Sequence, residues 1–477
     1  MNGAYIPTIG LEIHCELKTA SKIFCGCPNV FGAPPNTQCC PVCLGFPGTL
    51  PVLNRRAVEY TVRMGLAIGA EIPAFSKWDR KNYFYPDLPK AWQTSQYDLP
   101  LVKGGRVAFM TPDGEKTVRI ERIHLEEDAG KLIHENGFTR VDYNRGGVPL
   151  MEIVTLPDLH GAAEAVAFLT ELKSIIKYIG VSDVKMQEGS LRCDVNLSLS
   201  RPGEPLGTRT ETKNLNSFSA AARAIEFEIG RQTEILAGGG SVLQETRRWD
   251  DAKGRGYALR SKEDAQDYRY FPEPDLPPVV LDRAEVEAWR RALPVLRYER
   301  AGRYTREFGL SGYDAGLLTG DRAVSDLFDG TVALGANPKK TANLIMGDVL
   351  RLGREEGGED VAVGLSPAQL YGLLSLIEGG VIGLAAVQKD VLPRIWNTDI
   401  DPETFVKEAG LAQSGDADEI AAAVREIIAQ NPRQADDYRA GNEKLLAFFV
   451  GRVMKATKGK CNPKTVNEVL TTELKKR

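Results

Sequence analysis

Near the start of the chain, apolar and polar positions alternate. In I-G-L-E-I-H-C-E-L, residues 9–17, Ile9, Leu11, Ile13, Cys15 and Leu17 take one parity and Glu12, His14 and Glu16 the other. Period-two alternation predicts a strand with one buried face, here over 5–17. The same pattern predicts strands over 105–112, 116–128, 139–143, 148–155, 191–200 and 206–214. Helical periodicity covers 54–70, 161–179 and 218–236, the last stopped by Gly238-Gly239-Gly240. Successive strands with sparse helices imply an α+β body with a largely antiparallel sheet rather than a βαβ array. The proline-rich stretch Y-F-P-E-P-D-L-P-P (270–278) cannot continue a helix or a central strand. Beyond it, segments 283–309, 315–329, 338–356, 366–378 and 382–391 carry helical period, predicting an all-α domain of short helices. A polar link over 412–418 precedes a small helical tail. The expected domains are thus 1–292, 293–411 and 412–477.

A chain of 477 residues is too long for one ordinary core, in keeping with that division. A net charge of −4 excludes a generally basic nucleic-acid binder and leaves room for a local basic region. No apolar run approaches a membrane span and the start carries no leader pattern, so the expectation is a cytoplasmic protein without membrane contact. Six of the eight cysteines fall in the first 43 residues, which in that compartment points to metal ligation. Cys25 and Cys27, then Cys40 and Cys43, form C-x-C and C-x-x-C turns that can converge on a structural zinc ion within segment 25–43. Cys39 competes for the fourth position.

The polar parity of the opening strand sets Glu12 and His14 on one face. Glu152, in V-P-L-M-E-I-V, shares its face with Leu150 and Val154, where an isolated carboxylate needs a partner or a metal. Glu126, Glu127 and Asp128 interrupt another strand, and Asp194 shares a polar face with Arg192. Several carboxylates on one sheet face repel each other unless divalent cations intervene, and Mg²⁺ is a common handle on ATP phosphates. No Walker A pattern is present, so ATP would bind through metal and carboxylates. Glu16 and Glu126 read as ordinary solvated residues. The segment D-R-K-N-Y-F-Y-P-D-L-P-K-A-W-Q (79–93) mixes Arg80, Lys81 and Lys90 with four aromatics; it suits phosphate, RNA or a partner subunit, or equally a rigid packing loop. From Gly451 onward eight basic side chains face two acidic ones, a pattern shared by RNA-binding faces and by solvated lysine-rich ends.

Taken together, G-L-E-I-H-C-E-L, S-K-I-F-C, P-G-T-L-P-V-L-N, D-R-K-N-Y-F-Y-P-D, H-L-E-E-D-A-G-K, V-S-D-V-K-M-Q-E-G-S-L-R-C-D-V-N, T-K-N-L-N-S-F, D-Y-R-Y-F-P-E-P-D and K-A-T-K-G-K-C-N-P resemble the GatB family of bacterial tRNA-dependent amidotransferases, over essentially the whole chain. The resemblance implies a glutamine synthetase-like body. It implies ATP-dependent phosphorylation of the side-chain carboxylate of Glu-tRNA(Gln) or Asp-tRNA(Asn), followed by amidation with ammonia. The implied catalytic set is Glu12, His14, Glu127, Glu152 and Lys81, with the first four as Mg²⁺ ligands. The implied partners are an amidase (A) subunit that releases ammonia from glutamine, a small C subunit completing a heterotrimer, the mischarged tRNA and the cognate non-discriminating synthetase. The family's tRNA-contacting C-terminal domain favours Lys455, Lys458, Lys460 and Lys464 as tRNA-binding residues. Two rivals share parts of this pattern: a stand-alone ATP-dependent amide ligase for a small molecule, and a non-catalytic zinc-containing RNA-binding subunit.

Overall fold

The computed structural model describes residues 5–261, 268–357, 361–413, 417–457, 461 and 463–476. The chain divides into two compact units, with the boundary between Tyr298 and Glu299.

The first unit is built on one nine-stranded sheet. Its strands are β1 (Ile6–Glu16), β5 (Val102–Lys103), β6 (Arg106–Thr111), β7 (Gly114–Glu127), β10 (Pro149–Thr155), β11 (Leu191–Ser200), β12 (Thr210–Leu215), β13 (Glu245–Asp250) and β14 (Arg255–Ser261). They run in the order β14-β13-β12-β11-β1-β10-β7-β5, with β6 also pairing to β7. All pairings are antiparallel except β12 with β13. A smaller sheet joins β3 (Asp79–Asn82) to β4 (Trp92–Ser95) and to β15 (Phe271–Pro272). Strands β2 (Phe75–Ser76) and β16 (Val279–Val280) pair separately, as do β8 (Lys131–Glu135) and β9 (Phe138–Asp142). The proline-rich stretch enters only as two-residue edge strands, where a missing N–H is tolerated.

Helices α1 (Arg55–Ala67), α2 (Ala162–Ile179) and α3 (Phe218–Ala237) start and stop where local chemistry dictates. Asn54 caps α1 by accepting from the Arg56 N–H, and Ser217 caps α3 by accepting from the Ala220 N–H. Gly180 ends α2 in the left-handed conformation, with φ of 71°. Their apolar stripes (Val58 and Val62, Phe168 and Leu172, Ala221 and Ile225) join Ile9, Leu11, Ile13 and Cys15 in one buried core. The helices therefore occupy the apolar side of the sheet and leave the parity of Glu12 and His14 on the other.

The predicted helix over 283–309 is two, Arg283–Arg291 and Arg297–Phe308, parted around Pro294, which can supply no N–H to a continuous helix. In the second unit, two separate cores form. One gathers residues from Tyr304 to Val406, the other residues from Ile420 to Leu474. The segment 338–356 is nearly continuous, with a π-turn at Ile345–Val349 between its α-helical halves. No described helix is long and apolar enough to cross a membrane.

Candidate functional site

Register decides what the polar face displays. His14 on β1 pairs with Glu152 on β10, and Glu152 pairs with His124 on β7. Three side chains from three adjacent strands thus stand in one line. On the other flank of β1, Glu12 pairs with Asp194 on β11, and Asn196 pairs with Glu211 on β12. Among the described residues, His14, Glu126 and Glu152 form one group whose ligand atoms lie within 4.8 Å of each other, and Glu12, Asp194 and Glu211 form a second.

In the first group the His14 Nε2 is 3.4 Å from Glu152 Oε2 and 4.0 Å from Glu126 Oε1. His124 Nε2 approaches the same pair, 3.2 Å from Glu152 Oε2 and 3.6 Å from Glu126 Oε2. Burial disfavours charge on both rings, but the carboxylates outweigh it: His124 is pushed up to about 9, and His14 also rises. Burial alone would raise Glu152, yet the two imidazoles hold it well below the usual carboxylate range. The carboxylates thus favour a proton on the rings, in the role a cation would otherwise take. A metal ion at His14 requires its Nε2 to lose the proton, so the two are alternatives at one position. In the second group Lys213 Nζ lies 2.6 Å from Asp194 and 2.5 Å from Glu211, while Asn196 donates to Glu12 at 2.9 Å. Burial, with Glu152 and Glu211 nearby, raises Glu12 despite the opposing Asn196 and Lys213. Both groups fit a divalent cation by donor chemistry; the second is all oxygen, the set a hard ion such as Mg²⁺ prefers.

The placement of the expected residues is mixed. Glu12, His14 and Glu152 stand on the polar face. Lys81 sits in the field of the same row: burial would lower its pKa, but Glu126 and Glu152 raise it. Glu127 points elsewhere. It has the parity of the core residues Ile123 and Leu125, and its Oε1 pairs with Lys90 and accepts from the Thr94 N–H at 2.8 Å. Glu126, read from sequence as solvated, is 3 % exposed and takes the place beside His14. Adjacent carboxylates on a strand face opposite ways, and the register of β7 against β10 was needed to choose between them. Sequence reasoning also passed over His124, which shares parity with Glu126, and Glu211, whose strand is shorter than its alternation suggested. Glu16 lies outside both groups, beside Asp128 and Arg192; burial and Asp128 push it up to about 8.

The Cys25, Cys27, Cys40 and Cys43 sulfurs lie within 4.8 Å of each other, with Cys40 and Cys43 at 3.9 Å. Tetrahedral zinc with Zn–S bonds of about 2.3 Å needs sulfurs about 3.8 Å apart. A hydrogen bond from Cys25, backbone donation and Lys22 at 3.7 Å lower the Cys43 thiol against burial, which favours the thiolate that ligates a metal. Cys39 turns away to Asn144, with sulfur 3.7 Å from Oδ1. The turn after Cys43 is fixed by Gly45, φ 68°, where a Cβ would stand 2.6 Å from the Lys90 Cγ. Lys90 and Glu127 therefore line, with Cys25 and Cys43, a hollow of about 230 Å³. In the tail, Lys455 and Lys464 are exposed; Lys458 and Lys460 lie outside the described residues.

Residues 7–287 match the model of the GatB/GatE catalytic domain, and residues 326–474 that of the GatB domain. The chain is 51% identical over 479 residues to the B subunit of an aspartyl/glutamyl-tRNA(Asn/Gln) amidotransferase from Caldicellulosiruptor saccharolyticus, covering 99% of both chains. A protein of the same name from Thermoanaerobacter sp. is 51% identical, covering 99% of this chain and all of its own. One from Anaeromyxobacter sp. is 52% identical over 98% of both.

Proposed function

Because the chain belongs to the GatB family of tRNA-dependent amidotransferases, we propose that it carries the ATP-dependent step of that reaction. The side-chain carboxylate of Glu-tRNA(Gln) or Asp-tRNA(Asn) takes the γ-phosphoryl group of ATP, and ADP leaves. Ammonia from a partner amidase subunit then attacks the acyl phosphate, which expels inorganic phosphate and leaves the amide. The observation that carries this reading is the pair of acidic groups standing side by side on the polar face of the sheet.

His14, Glu126 and Glu152 would hold one Mg²⁺, and Glu12, Asp194 and Glu211 a second. Bound Mg²⁺ supplies charge neutralisation for two anionic reactants that otherwise repel. The chain's own groups do the positioning. His124 braces Glu126 and Glu152 from the side opposite His14, with Nε2 at 3.6 and 3.2 Å. Lys81 brings a fixed positive charge toward the same carboxylates, where negative charge builds on the transferred group. Lys213 holds Asp194 and Glu211 against their mutual repulsion until a cation arrives. Zinc in the four-cysteine site is structural, having no open position for substrate. The tail from residue 412 supplies tRNA-backbone contacts through Lys455 and Lys464, and a small third subunit ties this chain to the amidase.

The test is conversion of Glu-tRNA(Gln) to Gln-tRNA(Gln) by the chain assembled with its partner subunits, ATP, Mg²⁺ and glutamine. Glu152→Gln should abolish amide formation and spare tRNA binding. Full activity of that variant would end the site assignment.

A further inference from the structure

The aromatic segment 79–93 has no role in that chemistry beyond Lys81. In the structure it folds into the small sheet beside the carboxylate row, and tyrosines from three places in the chain gather there. Tyr97 and Tyr270 stack with centroids 4.4 Å apart and planes 12° from parallel. Tyr268 stands edge-on to Tyr270 at 6.1 Å, and Tyr83 edge-on to Tyr268 at 6.0 Å. Lys81 Nζ lies 4.9 Å from the Tyr268 ring centre. The stack is open to solvent at Tyr97, which is 61% exposed. Large exposed aromatics are costly to leave in water and mark a surface that takes a ligand.

Two contacts tie this stack to the chemistry. Ser95, two residues before Tyr97, donates its hydroxyl to Glu126 Oε2 at 3.2 Å. Burial and the carboxylates Glu126 and Glu152, set against Lys81, push the Tyr270 hydroxyl up to about 12. The stack therefore borders the group formed by His14, Glu126 and Glu152.

In the proposed reaction the reacting carboxylate is tethered by an ester to the ribose of the last nucleotide. The glutamyl chain spans about 6 Å from that ester to the carboxylate, at about 1.5 Å a bond. The terminal base must then lie within a short reach of the carboxylate row, and the open aromatic stack with a cation beside it is what stands there. Every base has a π-face, and a tyrosine pair with an adjacent ammonium suits a stacked base. A separate hollow of about 220 Å³, lined by Thr8, Gly10, Glu12, Thr155, Asn196 and Arg209, lies at the other end of the row and leaves ATP a place of its own.

We propose that the Tyr97–Tyr270 stack, with Lys81 beside it, is the platform on which the 3′-terminal adenosine of the aminoacyl-tRNA stacks. This rests on the amidotransferase reading. The experiment uses the assembled complex with two probes, intact tRNA(Gln) and the same tRNA lacking its terminal adenosine. For the wild type, removing that nucleotide should weaken binding by about 5- to 150-fold, the range for one stacked base. Tyr97→Ala should weaken intact tRNA by a similar factor, leave truncated tRNA unchanged and leave the KM for ATP unchanged; Tyr97→Phe should restore wild-type binding. Tyr97 is mostly solvent-exposed, so its truncation leaves the fold intact. The proposal is overturned if Tyr97→Ala remains as sensitive to truncation as the wild type. A raised KM for ATP with unchanged tRNA affinity would assign the stack to ATP's adenine instead. Loss of a partner subunit on size exclusion would assign it to a protein contact. A wild-type complex that amidates nothing yet binds tRNA in this truncation-sensitive way would refute the amidotransferase reading and keep the platform.

Discussion

Replacing Cys43 with serine should release segment 25–43 from the body of the first unit. That segment has almost no regular secondary structure, and its large apolar residues Val30 and Phe31 are 62% and 69% exposed. Its other ties are hydrogen bonds to the end of β9 and the residues after it, and to residues 17–22, where Asn29 donates to the Leu17 carbonyl at 2.9 Å. The Asn36 N–H reaches Asp142 at 3.0 Å, the Gln38 N–H reaches Asn144 at 2.8 Å, and Asn144 returns a bond to the Pro34 carbonyl at 2.7 Å. Such bonds contribute about 0.5–1.5 kcal/mol each, less when exposed, whereas structural zinc contributes about 10–16 kcal/mol in small domains. The metal term outweighs the hydrogen bonds even if several act together. Removing one of the four direct ligands should therefore cost more than the 10- to 100-fold in affinity typical of outer-shell changes. Purified wild-type complex should carry one zinc per copy of this chain by elemental analysis, and Cys43→Ser should carry well under half. Amide exchange over 25–43 should accelerate in the variant, and equally in the wild type after strong chelation. Cys39→Ser is the control, since that thiol faces Asn144 and not the other four. Zinc retained by Cys43→Ser, or lost by Cys39→Ser, would refute the ligand set.

The neighbouring carboxylates Glu126 and Glu127 make a matched pair: Glu126→Gln should raise the Mg²⁺ concentration needed for half-maximal amidation by tenfold or more, while Glu127→Gln should leave that titration in place, because Glu127 is engaged by Lys90 and Thr94. Ile13→Ala, at a site 0% exposed on the central strand, should lower unfolding free energy by about 2–5 kcal/mol, read from denaturant melts of the complex. Burial alone would raise Glu228, but Arg231, Gln232 and Thr210 outweigh it and depress its pKa. Its contribution is therefore present above the unfolded carboxylate value and lost as pH falls through the lower folded one. Glu228→Gln should flatten the acid limb of the melting-temperature profile below about pH 4.5.

Much of the first unit could be read from alternation because its strands have one dry face. β1, β10 and β11 follow the predicted ranges closely, and their apolar parity is the core. The pairs β3–β4 and β13–β14 were not anticipated: D-R-K-N and E-T-R-R-W-D carry charges on both parities, so periodicity reads them as loop. Arg80 and Arg247 enter these strands because Glu273 and Glu228 meet them across sequence distances that no local pattern records.

The sequence by itself determined which residues share a strand face, that Glu12 and His14 stand together, and that two cysteine pairs could converge. Those features are local, set by a period of two or a turn of a few residues. Only the tertiary structure decided the partners across strands. Register set Glu152 between His14 and His124, turned Glu126 in and Glu127 away, and brought Glu211 to Asp194. Pairing of β3 with β4 and with β15 also brought Tyr97 beside Tyr270. A one-residue slip reverses every side chain of a strand, and the forces that fix register here are the burial of the whole sheet face and its pairings, which belong to no single segment.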